Sequence, residues 1–127
     1  MNTEQVAARL VELCRAGKFA EAQQELYADD AVSLEPEGSP QGAGGNVKGL
    51  AAIQKKSQQF HDSVEAFHGV TCTDPVVAGG WFSLVMGVDA TYKGAGRIAM
   101  SEVCVYQVRD GKVVHEQFFY DVEAPAA

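Results

Sequence analysis

The chain has 127 residues, with 10 basic and 17 acidic side chains and a net charge of −7 at pH 7. This length fits one domain, residues 1–127, which can bury a core without disulfides or metals. The acidic balance and the lack of any Lys/Arg run exclude the electrostatic footprint of proteins that bind nucleic acid or anionic membranes. Partners are therefore expected to be small molecules or other copies of the chain.

The cysteine and histidine content predicts neither a disulfide framework nor a metal site. Cys14, Cys72 and Cys104 are odd in number, far apart, and form no CxxC pair. His61 and His68 belong to no tight spacing such as HxxxH or HExxH, which would suit zinc. We therefore predict no bound metal and no cofactor.

The N-terminal segment has no features of a targeting signal. Its apolar pattern is interrupted by Glu4 and Glu12, and no apolar run in the chain approaches the length needed to span a bilayer. The sequence therefore predicts a soluble cytoplasmic protein.

The first half of the chain is predicted to be mainly helical. Apolar residues recur at helical spacing over residues 3–16, 18–27 and 49–63, with Thr3 as a plausible N-cap and Gly17 as a plausible stop. A short extended run over residues 31–35 ends at Pro36. Residues 37–46 are rich in Gly and Pro and are predicted to form a flexible loop, which would suit a lid over a pocket.

The second half predicts strands only, over residues 66–77, 81–92, 97–108 and 113–122, separated by Gly-rich turns. The predicted order is α-α-β-α-β-β-β-β. Such an order indicates an α+β domain, in which three N-terminal helices pack in the concave face of a strongly curved mixed or antiparallel sheet that encloses a pocket.

Two glutamates within the last two predicted strands raise the question of which face they occupy, since Glu is depleted in strands. A three-residue loop over residues 109–111 would pair Val108 with Lys112 and Cys104 with Glu116. Glu102 and Glu116 would then be diagonal neighbours on an apolar, inward face. A two-residue Asp-Gly loop would instead place them on opposite faces.

The opposite face of this hairpin is predicted to lie outward and to be partly apolar. It would carry Val103, Val105, Val113 and Phe119. Contiguous apolar patches of more than a few hundred Å² usually mark an interface, so this face predicts a homodimer.

The chain resembles the SnoaL-like branch of the nuclear transport factor 2-like superfamily, the cystatin-like α+β cone that includes ketosteroid isomerase and polyketide cyclases. The resemblance covers nearly the whole chain and rests on residues 26–32, 49–53, the Asp110-Gly111 hairpin and residues 118–120. It implies the fold more specifically than the reaction, because this fold hosts isomerases, dehydratases, hydrolases, cyclases and binders. It also agrees with dimerisation through the outer face, which relatives commonly use.

The resemblance to ketosteroid isomerase implies roles for some residues and departs at others. Glu35 matches the general base, and Glu116 and Tyr120 match pocket positions on the last strand. Leu10 stands near the oxyanion-hole tyrosine and Cys104 near the protonated aspartate, and a thiol is too weak a donor for that task. Steroid isomerisation by that mechanism is therefore not expected.

These patterns give two functional hypotheses. The first is a cofactor-independent acid–base enzyme, of the isomerase, cyclase, dehydratase or hydrolase type, acting on an unidentified apolar organic substrate with Glu35, Glu102 and Glu116 as catalytic carboxylates. The alternative is a non-catalytic small-ligand-binding or dimerisation domain. The residues predicted to bind substrate are Tyr120, Tyr106, His68, Phe118, Cys104 and Met100.

Overall fold

The computed structural model describes residues 1–39 and 45–122. It shows three helices and a mixed sheet of seven strands, which confirms the predicted α+β class with a cystatin-like fold. The elements are α1 (Thr3–Arg15), α2 (Phe19–Leu26), β1 (Tyr27–Leu34), β2 (Val47–Lys48), α3 (Leu50–Ser63), β3 (Val64–Cys72), β4 (Val76–Ala78), β5 (Trp81–Tyr92), β6 (Gly96–Arg109) and β7 (Lys112–Phe119).

Local sequence explains where α1 begins and ends. The side chain of Asn2 accepts from the Gln5 amide while the Gln5 side chain accepts from the Asn2 amide, so a capping box satisfies two free donors. The predicted N-cap, Thr3, is instead the first helical residue. At the other end Gly17 adopts φ 73°, the left-handed conformation that commonly follows a helix, so the predicted stop lies where expected.

The sheet has the order β2-β1-β7-β6-β5-β3, with β4 paired to β5. The β1–β7 pair is parallel and the other pairs are antiparallel. All three helices pack on the sheet, α1 against β3 to β6 and α3 against β1 to β3. The largest fully buried side chains between these layers include Phe82, Leu10, Leu26 and Ile53.

Two short strands were not predicted. The predicted strand over residues 66–77 is interrupted at residues 73–75, where Pro75 lacks an amide hydrogen and Thr73 is held by backbone and side-chain hydrogen bonds to Val85. Arg15 from α1 fixes this break by donating to the carbonyl of Cys72. The other strand that was not predicted, β2, directly follows the predicted loop and pairs with β1. Of the predicted flexible loop over 37–46, residues 40–44 lie outside the described residues.

The β6–β7 hairpin corrects the predicted register but keeps its main consequence. The loop has two residues, so Arg109 pairs with Lys112, and a bulge near Val108 then shifts the pairing by one residue so that Tyr106 opposes Glu116. A two-residue loop alone would have put the two glutamates on opposite faces, and the bulge restores the parity. The bulge also turns Val113 inward, where it is fully buried, so its predicted place on the outer face is wrong.

Candidate functional site

A cavity of about 210 Å³ opens between the helices and the inner face of the sheet. Its walls are mainly apolar and come from both layers, with the side chains of Leu10, Phe19, Ile53, Met86, Met100 and Phe118. Three carboxylates, one ammonium and several phenols also face this space: Glu35, Glu102, Glu116, Lys56, Tyr27, Tyr106 and Tyr120. An apolar pocket with a few convergent polar groups is the usual form of a small-molecule site.

Lys56 and Glu35 form a buried ion pair at the wall of this cavity. The Lys56 Nζ atom lies 2.7 Å from Glu35 Oε1, and the two side chains are only 13% and 7% exposed. Lys56 also donates to the Ser33 hydroxyl at 2.9 Å and to the carbonyl of Gly45 at 2.8 Å. The Tyr120 hydroxyl donates to the other Glu35 oxygen at 2.9 Å. All three ammonium hydrogens therefore have protein acceptors.

Glu116 is held deeper in the protein and is 4% exposed. The hydroxyl of Tyr27 donates to its carboxyl group, and Ser33 is its partner across the β1–β7 pair. Burial raises the pKa of Glu116, and the hydroxyls of Tyr27 and Ser33 and the charge of Lys56 oppose that rise only in part. Glu35, Lys56, Ser33 and Tyr120 thus form one hydrogen-bonded network, and Glu116 is held separately by Tyr27.

Glu102 lies outside this network. Its hydrogen bond in the structure comes from the thiol of Cys104, 3.7 Å away, which is a weak donor. Burial, followed by the negative charge of Glu35, raises the pKa of Glu102 to about 7, and the charge of Glu116 contributes less. Glu102 is therefore the cavity carboxyl group that can exchange a proton near neutral pH.

The observed register explains why Glu35 affects Glu102 more than Glu116 does. Glu116 lies opposite Tyr106, two residues farther from Glu102 along the hairpin than predicted. The predicted diagonal contact between Glu102 and Glu116 is therefore wrong, although both side chains line the cavity.

The structure brings together most of the residues predicted to form the site. Seven of the nine line the cavity: Glu35, Glu102, Glu116, Tyr106, Tyr120, Phe118 and Met100. Cys104 is buried behind them and contacts the cavity through Glu102. Burial raises the pKa of the Cys104 thiol, as expected for a thiol beside carboxylates, and this disfavours a nucleophilic role.

The position of His68 differs from the predicted one. Its ring lies on the exposed surface, 2.7 Å from the Thr91 hydroxyl, and is not among the residues that line the cavity. β3 is an edge strand that is exposed along most of its length, so the start of this strand does not reach the cavity. His68 therefore does not line the cavity with the other residues predicted to bind substrate.

Lys56 was not among the residues predicted to form the site. Its position could have been found from the sequence, since Lys56 follows Ile53 by three residues and precedes Phe60 by four, so helical spacing puts it on the apolar face. Tyr27 and Ser33 were also not predicted, because their hydrogen-bond partners, Glu116 and Lys56, lie 89 and 23 residues away in sequence. No local sequence pattern indicates pairs so far apart.

Neither a metal site nor a membrane span is found in the part of the chain that the structure describes. The described residues contain no group of three or more His, Cys, Asp or Glu side chains arranged to hold a metal ion. Across the same residues, each helix is too short or too polar to cross a membrane.

Comparison with known proteins agrees with this architecture. Residues 1–120 match the SnoaL-like domain family. The chain is 34% identical to a Mesorhizobium loti protein provisionally named a SnoaL-like polyketide cyclase or carbohydrate phosphatase, with a TM-score of 0.86 over 94% of this chain and 100% of that one. No curated protein matches the sequence.

More distant structures share the fold. A Xanthomonas campestris protein of unknown function with a cystatin-like fold is 18% identical, with a TM-score of 0.78 over 94% of this chain and 91% of that one. TerC, co-crystallised with polyporic acid, is 16% identical, with a TM-score of 0.74 over 92% and 89% of the two chains. With its family match over almost the full length, the chain belongs to the SnoaL-like domain family.

Proposed function

We propose that this protein binds a small, largely apolar organic molecule in the cavity and that Glu102 transfers a proton to and from it. The observation that carries the proposal is the contrast among the three cavity carboxyl groups. Glu35 and Glu116 are held by strong donors, whereas Glu102 has no cationic partner within residues 1–39 and 45–122 and a pKa of about 7. A general base or acid works best when its pKa lies near the operating pH.

The reaction class that fits is proton transfer at a carbon next to a carbonyl group. Ionised Glu102 takes a proton from that carbon, and the electron pair of the broken C–H bond forms an enolate. The enolate then recovers a proton from Glu102 at another carbon, or its carbon attacks a second carbonyl of the same molecule and closes a ring. In the second route the resulting alkoxide takes the proton from Glu102. The cyclase name of the 34% identical Mesorhizobium loti protein is consistent with the second route.

The test uses 2-indanone, a fused-ring ketone small enough for the cavity, in deuterated buffer. The protein is expected to accelerate exchange of the hydrogens next to the carbonyl, and Glu102→Gln to abolish that acceleration. Glu65→Gln, which removes an exposed carboxylate from β3, is the matched control and should exchange like the unmodified protein. Carboxyl NMR should show a titration near pH 7 that Glu102→Gln removes. If every cavity carboxyl titrates below about pH 5, the proton-transfer role is wrong.

The alternative is a binder without catalysis. It is favoured by the Tyr120–Glu35–Lys56–Ser33 network and the separate Tyr27–Glu116 pair, whose members already bond to one another. Binding of 2-indanone with no accelerated exchange would select this alternative.

We also propose that two copies pair through the outer face of β5, β6 and β7. Val85 and Val103 are neighbours there, Val103 is paired with Phe119, and all three are more than 40% exposed. An apolar strip of this kind on a sheet commonly becomes buried in a second subunit. The oligomeric state is tested below with a charge placed in this strip.

A further inference from the structure

The positive charge of Lys56 is already neutralised and hydrogen-bonded within the protein. Its three hydrogens go to Glu35, Ser33 and Gly45 at 2.7 to 2.9 Å, and it lies 5.4 Å from the centre of the Phe118 ring. Lys56 is the one cationic side chain among the described residues that line the cavity. An entering anion would therefore have to displace Glu35 to reach a positive charge.

The other charged groups at the cavity repel anions. Glu35, Glu102 and Glu116 outnumber Lys56 by three to one, and ionised groups beside apolar walls are screened less than charges in bulk water. What remains for a ligand is hydrogen bonding to Glu102, whose own partner is a weak thiol donor. A hydroxyl group can donate to its ionised form, and a carbonyl oxygen can accept from its protonated form.

We propose that the buried Lys56–Glu35 ion pair makes the cavity selective for uncharged molecules that carry a hydroxyl or carbonyl group, and that it excludes carboxylates and phosphates. This proposal rests on the proposed function, for which it names the ligand class. The cavity volume of about 210 Å³ is below the roughly 300–1,000 Å³ of pockets for drug-sized ligands, so a ligand of about one ring system fits.

The proposal also predicts that one substitution should create a binding site for anions. Replacing Glu35 by Gln keeps the side-chain shape and an oxygen acceptor for Lys56 but removes the negative charge. Lys56 would then carry an unneutralised charge at the cavity wall and could pair with an anionic ligand. Glu35→Gln should therefore shift the selectivity of the site toward anionic ligands, and not only weaken the binding of uncharged ones.

The experiment compares two probes with the same carbon skeleton, 2-phenylethanol and phenylacetate, by NMR titration at pH 8. The unmodified protein should bind phenylacetate more than about tenfold more weakly than 2-phenylethanol, because like charges that meet in a buried site are costly. In Glu35→Gln the ratio should shift toward phenylacetate by about tenfold or more. Glu37→Gln removes the same charge from an exposed position and should leave the ratio unchanged.

The double variant Glu35→Gln/Lys56→Met identifies the source of any gain, since it should lose the improved binding of phenylacetate. Equal or tighter binding of phenylacetate by the unmodified protein overturns the proposal, as does failure to bind 2-phenylethanol. An unchanged ratio in a folded Glu35→Gln protein also overturns it. The proposed function is judged separately, by the titration of Glu102 and by hydrogen exchange of 2-indanone in the protein with Glu35 and Lys56 intact.

Discussion

Each face of β6 and β7 carries two residues of the kind that is usually found on the opposite face. The inner face buries Glu116 at 4% exposure and carries Glu102, whereas the outer face leaves Val103 and Phe119 43% and 47% exposed. A buried carboxyl or an exposed apolar patch is more informative than the average surface, because each costs stability unless something compensates it. The comparison supports the two proposals made for this hairpin, a ligand site on its inner face and a contact with a second copy on its outer face.

The largest effect is expected when the inner face loses its cation. Lys56→Met leaves Glu35 buried without its ionic partner, and removal of one member of a buried pair typically costs about 3–5 kcal/mol of unfolding free energy. Urea unfolding at pH 7 measures this loss. Lys55→Met, at the adjacent exposed position of α3, removes the same charge and should have little effect. Equal losses in both variants would show that Lys56 acts only through net charge.

The outer face is tested by placing a charge in its apolar strip. Phe119→Glu should weaken dimerisation by about thirtyfold or more, since central apolar contacts of an interface are often worth about 2 kcal/mol or more. Light scattering at micromolar concentration measures the change. Ile98→Glu is the control, because Ile98 is 43% exposed but pairs with the buried Ala90 on the other face. An unmodified protein that is already monomeric would contradict the proposed interface.

A smaller effect, of opposite sign, is expected from Glu116→Gln. The pKa of Glu116 is raised on folding, so its proton stabilises the fold below about pH 4.5, and that contribution is lost as pH rises through the folded pKa. Gln does not ionise, so the variant should be no less stable than the unmodified protein at pH 8, and its relative stability should increase from pH 4 to pH 8. Thermal unfolding from pH 4 to pH 8 measures the difference. A constant difference across this range would show that Glu116 does not titrate as described.

The smallest effect is expected at the exposed ion pair between Arg97 and Asp89, which sharpens the contrast with the buried pair. Its two contacts, at 2.9 and 3.0 Å, are as short as those of Lys56, but the pair is open to water and salt. Arg97→Gln should leave the unfolding free energy unchanged within error, because exposed pairs contribute little. A loss comparable to that of Lys56→Met would mean that burial is not what distinguishes the two pairs.

The amino-acid sequence by itself determined the class of the fold and most of its elements. Helical spacing located all three helices to within two residues at each end, and alternation with Gly-rich turns located β5 to the residue. These features depend on neighbours close in the chain, through capping, apolar periodicity and turn residues. For Glu102 and Glu116 the sequence left two possibilities open, a shared inward face or opposite faces, which depended on the length of the hairpin loop.

Only the tertiary structure decided how these carboxyl groups differ from one another. A bulge near Val108 set the register and moved Glu116 away from Glu102. The fold then brought Lys56 of α3 to Glu35, which follows β1, and brought Tyr27 to Glu116. The members of each pair lie too far apart in sequence for a local pattern to predict the contact. A pKa depends on burial and on nearby charges. The proposed assignment of the exchangeable proton to Glu102 therefore required the positions of Glu35, Glu116 and Lys56 around it.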